Sequence, residues 1–500
     1  MLYSAGISGP SSPAPPSTSL PRWARLLDFL CLLIAAVSIV IAMSGGFRVR
    51  LGGFRIALTS PYRLLIWGVV LAIARHVLAP RPPIYRDLPA RVAGWWRTAA
   101  ARAAVGAFIG TRPAILFAGY LAVVMIGYGT SDGNAPWRLA DNEFGNLQAR
   151  YDTGWYLGVA IDGYSFIPGR PEDQQNVVFF PALPMLMRVT GRLLGGASPP
   201  AYAWGGALCM LLAFLGALAY LFRFARETLG DDERAEAAVW LLAAYPFALF
   251  YSAVYTESLF LLGAVGAFYH FRRREYVAAA GWGFLVGLTR PNGCFLSIPL
   301  AILAVSPWLP HWLRGGPSVE AAGGDPGTSA SGPRALTSAL AAAAMPGVGV
   351  LVYSAYIWRL TGDPLTWAEG HVAWGRQYQG LTILVSERYQ WLSDSGLYEY
   401  TAKAPGDLLN ALGAVFVLVG AWPVARRLGL AYAAFVLINI LPPLAAGGLL
   451  SAGRFSSVLF PVFVWLAAAV PARHRTAWIT SFMAVQALNA TLFYTWRPLY

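Results

Sequence analysis

The chain has 500 residues, of which 57% are hydrophobic and only 12% charged. Soluble domains carry about 25% charged residues, so the composition excludes an ordinary soluble enzyme and calls for a lipid solvent. The net charge of +13 does not make a nucleic-acid binder, because the basic residues sit in short loops between apolar stretches, where they orient helices. All but one of the 37 basic residues are Arg, Lys403 being the exception, a composition typical of high-GC bacterial coding.

In chain order, residues 1–25 open with a Ser-, Pro- and Gly-rich stretch and read as a disordered cytoplasmic N-terminus. The apolar run 26–43 has no A-x-A-type cleavage site and reads as the first anchor, not a removable leader. A helix crosses hydrocarbon with about 20 mostly apolar residues. Such patterns predict helices over 26–43, 61–79, 113–129, 201–222, 237–250, 256–271, 277–289, 293–308, 336–359, 405–424, 428–447, 455–470 and 476–493. The expectation is an all-α, polytopic integral membrane protein of about 13 transmembrane helices. Residues 26–112 form two N-terminal helices and a basic loop, and 113–500 form the main membrane body.

Arg placement sets the orientation. A cytoplasmic N-terminus puts Arg81, Arg86, Arg91, Arg97 and Arg102 inside, then Arg223, Arg226, Arg234, Arg272, Arg273, Arg274, Arg426, Arg427, Arg473 and Arg475. The reverse arrangement would place nearly all the excess charge outside. One stretch resists this layout. Residues 177–194, VVFFPALPMLMRVTGRLL, are apolar enough to cross yet contain Pro181, Pro184, Arg188 and Arg192. They are expected to lie as a helix in the outer interface, an ordinary span being the alternative. Two long external loops follow, 130–200 and 361–404, with a Gly-, Pro- and Ser-rich cytoplasmic linker over 310–333. There is no heptad, solenoid period or inverted repeat.

Ionisable groups near membrane depth are costly and mark function by default. Four places stand out. In ARYDTGWYLGVAIDGY (149–164), Asp152 stands among Arg150, Tyr151, Trp155 and Tyr156, before a short amphipathic helix whose dipole favours a carboxylate. It is either a helix cap or an acid beside rings on which a sugar could stack. In AYPFALFYSAVYTESLF (244–260), Tyr245-Pro246 breaks one helix and Glu257 lies just inside the next, either capping with Thr256 or contacting a ligand. In LTRPNG (288–293), Arg290 sits where two helices meet, suited to a phosphate or able to snorkel to the interface. In AGRFSSVLFP (452–461), Arg454 begins a helix, where the dipole disfavours a cation. A fixed anion, whether ligand or carboxylate, would explain it. The orientation drawn from loop charge puts all four on the external side, so they are expected to share one site joining a proton acceptor to anion-holding arginines.

The five histidines (His76, His270, His311, His371, His474) show no i,i+4 or Cys pairing, so no metal is expected. Cys31, Cys209 and Cys294 lie in apolar helix patterns as packing residues. No Gly-rich phosphate loop follows a strand.

These motifs resemble the PIG-V-like mannosyltransferases. The Asp152 stretch is similar to that family's W-D-x-x-W/H-Y-x-x-I-A-x-x-G-Y segment, with Tyr151 in place of Trp. VVFFPALPMLMRVTGRLL resembles its FFP-x-x-P-x-x-x-R segment, and AYPFALFYSAVYTESLF its P-x-x-x-F-x-x-x-x-Y-[ST]-E-S-L-F motif. AGWGFLVGLTRPNG, GDPLTWAEGHVAWGR and GRFSSVLFPVFVWLA follow in order, so the resemblance covers about residues 113–470. It implies a GT-C membrane fold with catalytic residues on extracytoplasmic loops. It also implies a polyprenyl-phosphate-linked mannose donor and inversion at the sugar. By that resemblance Asp152 is the catalytic base, Arg290 and Arg454 are candidates for the donor phosphate, and Glu257, Trp155 and Tyr156 are substrate-binding. No cofactor is expected, since a lipid monophosphate can be neutralised by Arg without a metal. The partners are membrane lipids, the lipid-linked donor, and a glycan, glycolipid or protein acceptor, with no nucleic acid. The expected location is a bacterial plasma membrane with the site facing outward. Another polyprenyl-linked sugar on the same fold, or a lipid-linked saccharide transporter, are the competing readings.

Overall fold

The computed structural model describes residues 20–44, 47–51, 54–58, 60–80, 82–87, 94–129, 137–170, 172–195, 198–308, 310, 333–497 and 499. Most of the expected linker 310–333, including His311, and the first 19 residues lie outside them. The chain divides into two compact units, residues 1–95 and 96–500.

The first unit holds helices α1 (Arg22–Ser44) and α2 (Pro61–Leu78), with a two-stranded antiparallel hairpin between them, β1 (Phe47–Leu51) and β2 (Phe54–Leu58). The hairpin departs from the all-α expectation. Helices α1 and α2 meet where Gly68 leaves room for Ile34. Arg75 pairs with Asp28 at 2.6 and 2.9 Å, both residues nearly inaccessible. A buried carboxylate and guanidinium are tolerable because each neutralises the other. The remaining faces expose Leu33, Ile66, Trp67 and Val77, an apolar exterior suited to lipid rather than water.

The second unit has helices as the regular secondary structure of its described residues. It runs α3 (Ala99–Ile126), α4 (Thr153–Asp162), α5 (Ala182–Gly195), α6 (Pro199–Leu229), α7 (Asp232–Ala244), α8 (Glu257–Arg272), α9 (Tyr276–Gly287) and α10 (Ser297–Val305). It continues with α11 (Pro333–Thr361), α12 (Thr366–Glu369), α13 (Leu381–Lys403), α14 (Pro405–Arg427), α15 (Leu430–Gly447), α16 (Ala452–Ser457), α17 (Phe460–Ala469) and α18 (Ala472–Tyr494). Seven helices across the described residues are long and apolar enough to cross a membrane. Each of the expected 13 spans overlaps a helix, but only these seven have the length and hydropathy of a span, and α7, α8, α9 and α17 have only 10–16 residues. Glycine and proline divide the apolar sequence more finely than a hydropathy run reveals.

Three boundaries shift for identifiable reasons. Helix α3 begins 14 residues before the expected 113, capped by Thr98 accepting from the Ala101 N–H, and it runs through Pro113. Burial of its Ala100, Ala104 and Ala107 face outweighs the proline penalty. Helix α5 has 14 residues, about 21 Å at the helical rise and too short to cross hydrocarbon. Its Arg188 Nε donates to the Ala160 carbonyl of α4 at 2.6 Å. The expected loop 361–404 contains helices α12 and α13, the latter interrupted at Gly396 (φ +74°).

The decisive irregularity lies between α7 and α8. Asp231 caps α7, and Pro246 ends it, leaving its last carbonyls without helical donors. Arg112 on α3 reaches across to donate to the carbonyls of Ala243 at 2.7 Å and Ala248 at 2.5 Å. Gln486 and Asn489 on α18 supply the carbonyls of Tyr245 and Pro246 at 3.0 Å each. A non-helical turn can be buried here because these side chains satisfy its backbone. It delivers Tyr255, Thr256 and Glu257 to the start of α8.

Candidate functional site

Asp152, Glu257, Arg290 and Arg454, which sequence reasoning drew from four separate motifs, meet in one chain of ion pairs. Arg454 Nη1 donates to Asp152 Oδ2 at 2.9 Å, and its Nε lies 3.2 Å from Glu257 Oε1. The same Glu257 oxygen takes Arg290 Nη2 at 2.9 Å. Glu257 is 1% exposed, in the first turn of α8, where the helix dipole favours its charge. It does not cap with Thr256. The Thr256 hydroxyl instead accepts from Arg290 Nη2 at 2.8 Å and Nε at 3.1 Å. Arg290 is buried, its guanidinium 5.0 Å from the Phe260 ring, and so does not snorkel. Arg454 lies over the Tyr255 ring at 5.1 Å. Charge is thus balanced locally, two carboxylates against two guanidiniums. The fixed anion that Arg454 called for is supplied here by the carboxylates of Asp152 and Glu257.

Local backbone aims the pair. Tyr151, just before Asp152, has φ +40°, and Ser451, three residues before Arg454, has φ +61°. Such values strain a residue with a Cβ and persist only where surrounding packing imposes them. At Tyr151 that packing is Trp496 at 4.4 Å and Phe493 at 5.5 Å, with the phenol donating to the Arg497 carbonyl at 3.1 Å. The Asp152 N–H donates to the Tyr255 hydroxyl at 3.2 Å. The stretch after Arg473 matched no motif, yet it holds the acid in place.

Asp152, Arg290 and Arg454 line a cavity of about 1160 Å³, larger than the roughly 300–1,000 Å³ typical for small ligands. Trp155 lines it, stacked on Phe179 (5.9 Å, 7°) and edge-on to Trp374 (5.1 Å, 75°). Tyr156 is buried against Phe179 at 4.9 Å. Burial first, then the Asp152 charge, pushes its phenol above the usual range, so it stays a neutral hydroxyl. Sequence reasoning missed Trp137, His371, Trp374, Arg376, Asn292 and Trp496, which also line the cavity. His371 lay in a motif already quoted but was set aside with the other histidines. Its Nδ1–H donates to the Trp367 carbonyl at 2.7 Å, and burial lowers its pKa. Only the folding of 361–404 over the helices brings Trp374 and Arg376 here. Among the described residues, no group of three His, Cys, Asp or Glu is arranged to hold a metal ion.

Residues 136–301 match the model of a family described as "Mannosyltransferase (PIG-V)". The solved structures to which the chain is similar include the Archaeoglobus fulgidus oligosaccharyltransferase with Zn and sulfate: TM-score 0.35 and 14% identity, covering 77% of this chain and 53% of that one. For the apo form the values are 0.35 and 13%, covering 78% and 56%. For the archaeal oligosaccharyltransferase AglB from the same organism, with an inhibitory peptide and a dolichol-phosphate, they are 0.33 and 14%, covering 77% and 55%. The chain thus spans about half the length of these proteins. No curated protein matches.

Proposed function

We propose, from the match of residues 136–301 to the mannosyltransferase (PIG-V) family model, that this chain is a glycosyltransferase of that family. It is then a multi-pass membrane glycosyltransferase of GT-C type that moves mannose from a polyprenyl-phosphate donor to a hydroxyl of an extracytoplasmic glycan, glycolipid or protein. The observation that carries this reading is the half-buried Asp152, held by Arg454 beside a wall of Trp155, Phe179 and Trp374. An aromatic wall offers a sugar its stacking surface, and an oriented carboxylate offers a base.

Arg454 occupies Asp152 Oδ2, leaving Oδ1 for the acceptor. As the acceptor oxygen forms its bond to the anomeric carbon, its proton passes to Asp152. The bond from that carbon to the phosphate oxygen breaks, and its electron pair leaves with the polyprenyl phosphate. Attack opposite the leaving group inverts the anomeric centre. The buried Glu257 keeps Arg290 and Arg454 in place and needs no substrate contact to do so.

The test is transfer of radiolabelled mannose from polyprenyl-phosphate mannose to native lipid extract, in membranes holding wild type or Asp152→Asn. Asparagine keeps the oxygen that accepts from Arg454 but loses the base, so the expected loss is about 10²–10⁴-fold in rate. Equal transfer by both proteins removes Asp152 from the reaction. No transfer by either removes the donor or the acceptor, and other polyprenyl-linked sugars follow. Wild-type transfer is expected to survive EDTA, since the leaving phosphate's charge can be met by arginine. Activity abolished by EDTA and restored by a divalent cation would overturn that expectation.

A further inference from the structure

We propose that Arg376, and neither Arg290 nor Arg454, is the residue that binds the phosphate of the lipid-linked donor. The proposal rests on the reading that the donor is a lipid phosphate, and it names the subsite.

The charge balance of the cavity supplies the first argument. Arg290 and Arg454 both face the buried Glu257, and Arg454 also holds Asp152. A phosphate recruiting Arg454 would have to displace Asp152, which has no other cation at ion-pair distance among the described residues, and one recruiting Arg290 would lie against the buried Glu257 carboxylate; either is costly in a dry site. Arg376 is different. Among the charged side chains lining the cavity it has no carboxylate at ion-pair distance in the described residues. Its Nη2 donates to the Leu450 carbonyl at 2.9 Å, which fixes the plane of the guanidinium. Its Nη1 is buried without a hydrogen-bond partner, as Arg290 Nη1 also is, but at Arg376 no carboxylate offsets the charge, so an anion would both meet the donor and balance the cation.

The second argument is where the charge sits. Arg376 and Arg454 both contact the Phe455 ring, at 5.2 and 5.5 Å, so two cations crowd one wall and only one is neutralised. Burial, and then Arg454, lowers the Arg376 pKa to about 10. The group stays cationic at neutral pH, in an environment that favours an added negative charge. The backbone commits it there: Gly375 takes φ +71°, and the Arg376 N–H donates to the His371 carbonyl at 3.1 Å. Two residues earlier, Trp374 stands against Trp155 and Phe179. Sugar platform and phosphate ligand therefore arrive on one short turn. When the bond to the anomeric carbon breaks, the leaving phosphate gains a unit of negative charge, and a guanidinium already aimed at it stabilises that change.

The test uses the full chain in lipid nanodiscs, reading quenching of the cavity tryptophans on titration with a short-chain polyprenyl phosphate, the matching polyprenol and inorganic phosphate. Wild type is expected to prefer polyprenyl phosphate over polyprenol by at least about tenfold. Arg376→Gln should abolish that preference, and Arg376→Lys, which keeps the charge but not the fork, should retain part of it. Unfolding temperatures of both variants near wild type exclude a folding defect. In the transfer assay Arg376→Gln should lower kcat as well as raise KM, whereas a merely structural residue would reduce only the active fraction. A phosphate preference undiminished in Arg376→Gln overturns the proposal and leaves the donor reading standing. A wild type that binds polyprenol as tightly as polyprenyl phosphate overturns both. Inorganic phosphate bound as tightly as the lipid phosphate, and lost in Arg376→Gln, keeps Arg376 as a phosphate ligand and removes the lipid donor.

Discussion

Glu257 holds two arginines through one oxygen while almost fully buried, so its role is legible as electrostatics before any substrate is considered. Removing one partner of a buried pair leaves an uncompensated charge and costs about 3–5 kcal/mol. Glu257→Gln is therefore expected to lower the unfolding temperature of the solubilised protein sharply. Arg290→Gln should do the same, with the double variant losing less than the sum of the two. Strictly additive losses would show that the 2.9 Å contact carries no coupling. At this scale the sequence was informative because an ionisable residue in an apolar run is conspicuous. It could not tell which arginine was matched by a carboxylate, since that depends on Asp152 and Arg454 meeting across some 300 residues.

Helix α16 carries Arg454 and is seated by a close approach. A Cβ on Gly453 would come within 2.1–2.5 Å of the Phe247 ring atoms, and Phe247 belongs to the broken segment between α7 and α8. Gly453→Ala touches no substrate, yet it must push Arg454 away from Asp152 or displace the ring. Overpacking of this kind costs about 1–3 kcal/mol. Transfer is expected to fall at least about tenfold, with partial recovery in Gly453→Ala combined with Phe247→Leu. Failure of the smaller ring-site residue to restore any activity would mean that the contact does not position α16. Helix existence was readable at this scale, since apolar runs and breaks at Pro246 and Pro291 punctuate the sequence. Helix length was less so: Pro113 lies inside α3 rather than at its start, because the buried alanine face decides.

For the molecule as a whole, the proposed external placement of Asp152 rests on the excess of Arg in the opposite loops, and labelling tests it. In a variant lacking Cys31, Cys209 and Cys294, a cysteine at the exposed Glu172 should react with an impermeant thiol reagent in intact cells. One at the exposed Asp232 should react only after the membrane is opened. The reverse pattern would turn the site inward, where a polyprenyl donor is no longer required.

Composition, apolar runs and isolated charges determined from the sequence alone that this is a helical membrane protein, and singled out Asp152, Glu257, Arg290 and Arg454. These are local quantities, written in single residues and their immediate neighbours. Tertiary structure alone decided that the four form one neutral network, that α18 and Trp496 brace the strained Tyr151, and that Arg376 is left unmatched against the same cavity. Charge balance is a sum over neighbours in space, and a chain with no repeat to guide it does not state which distant segments will become neighbours.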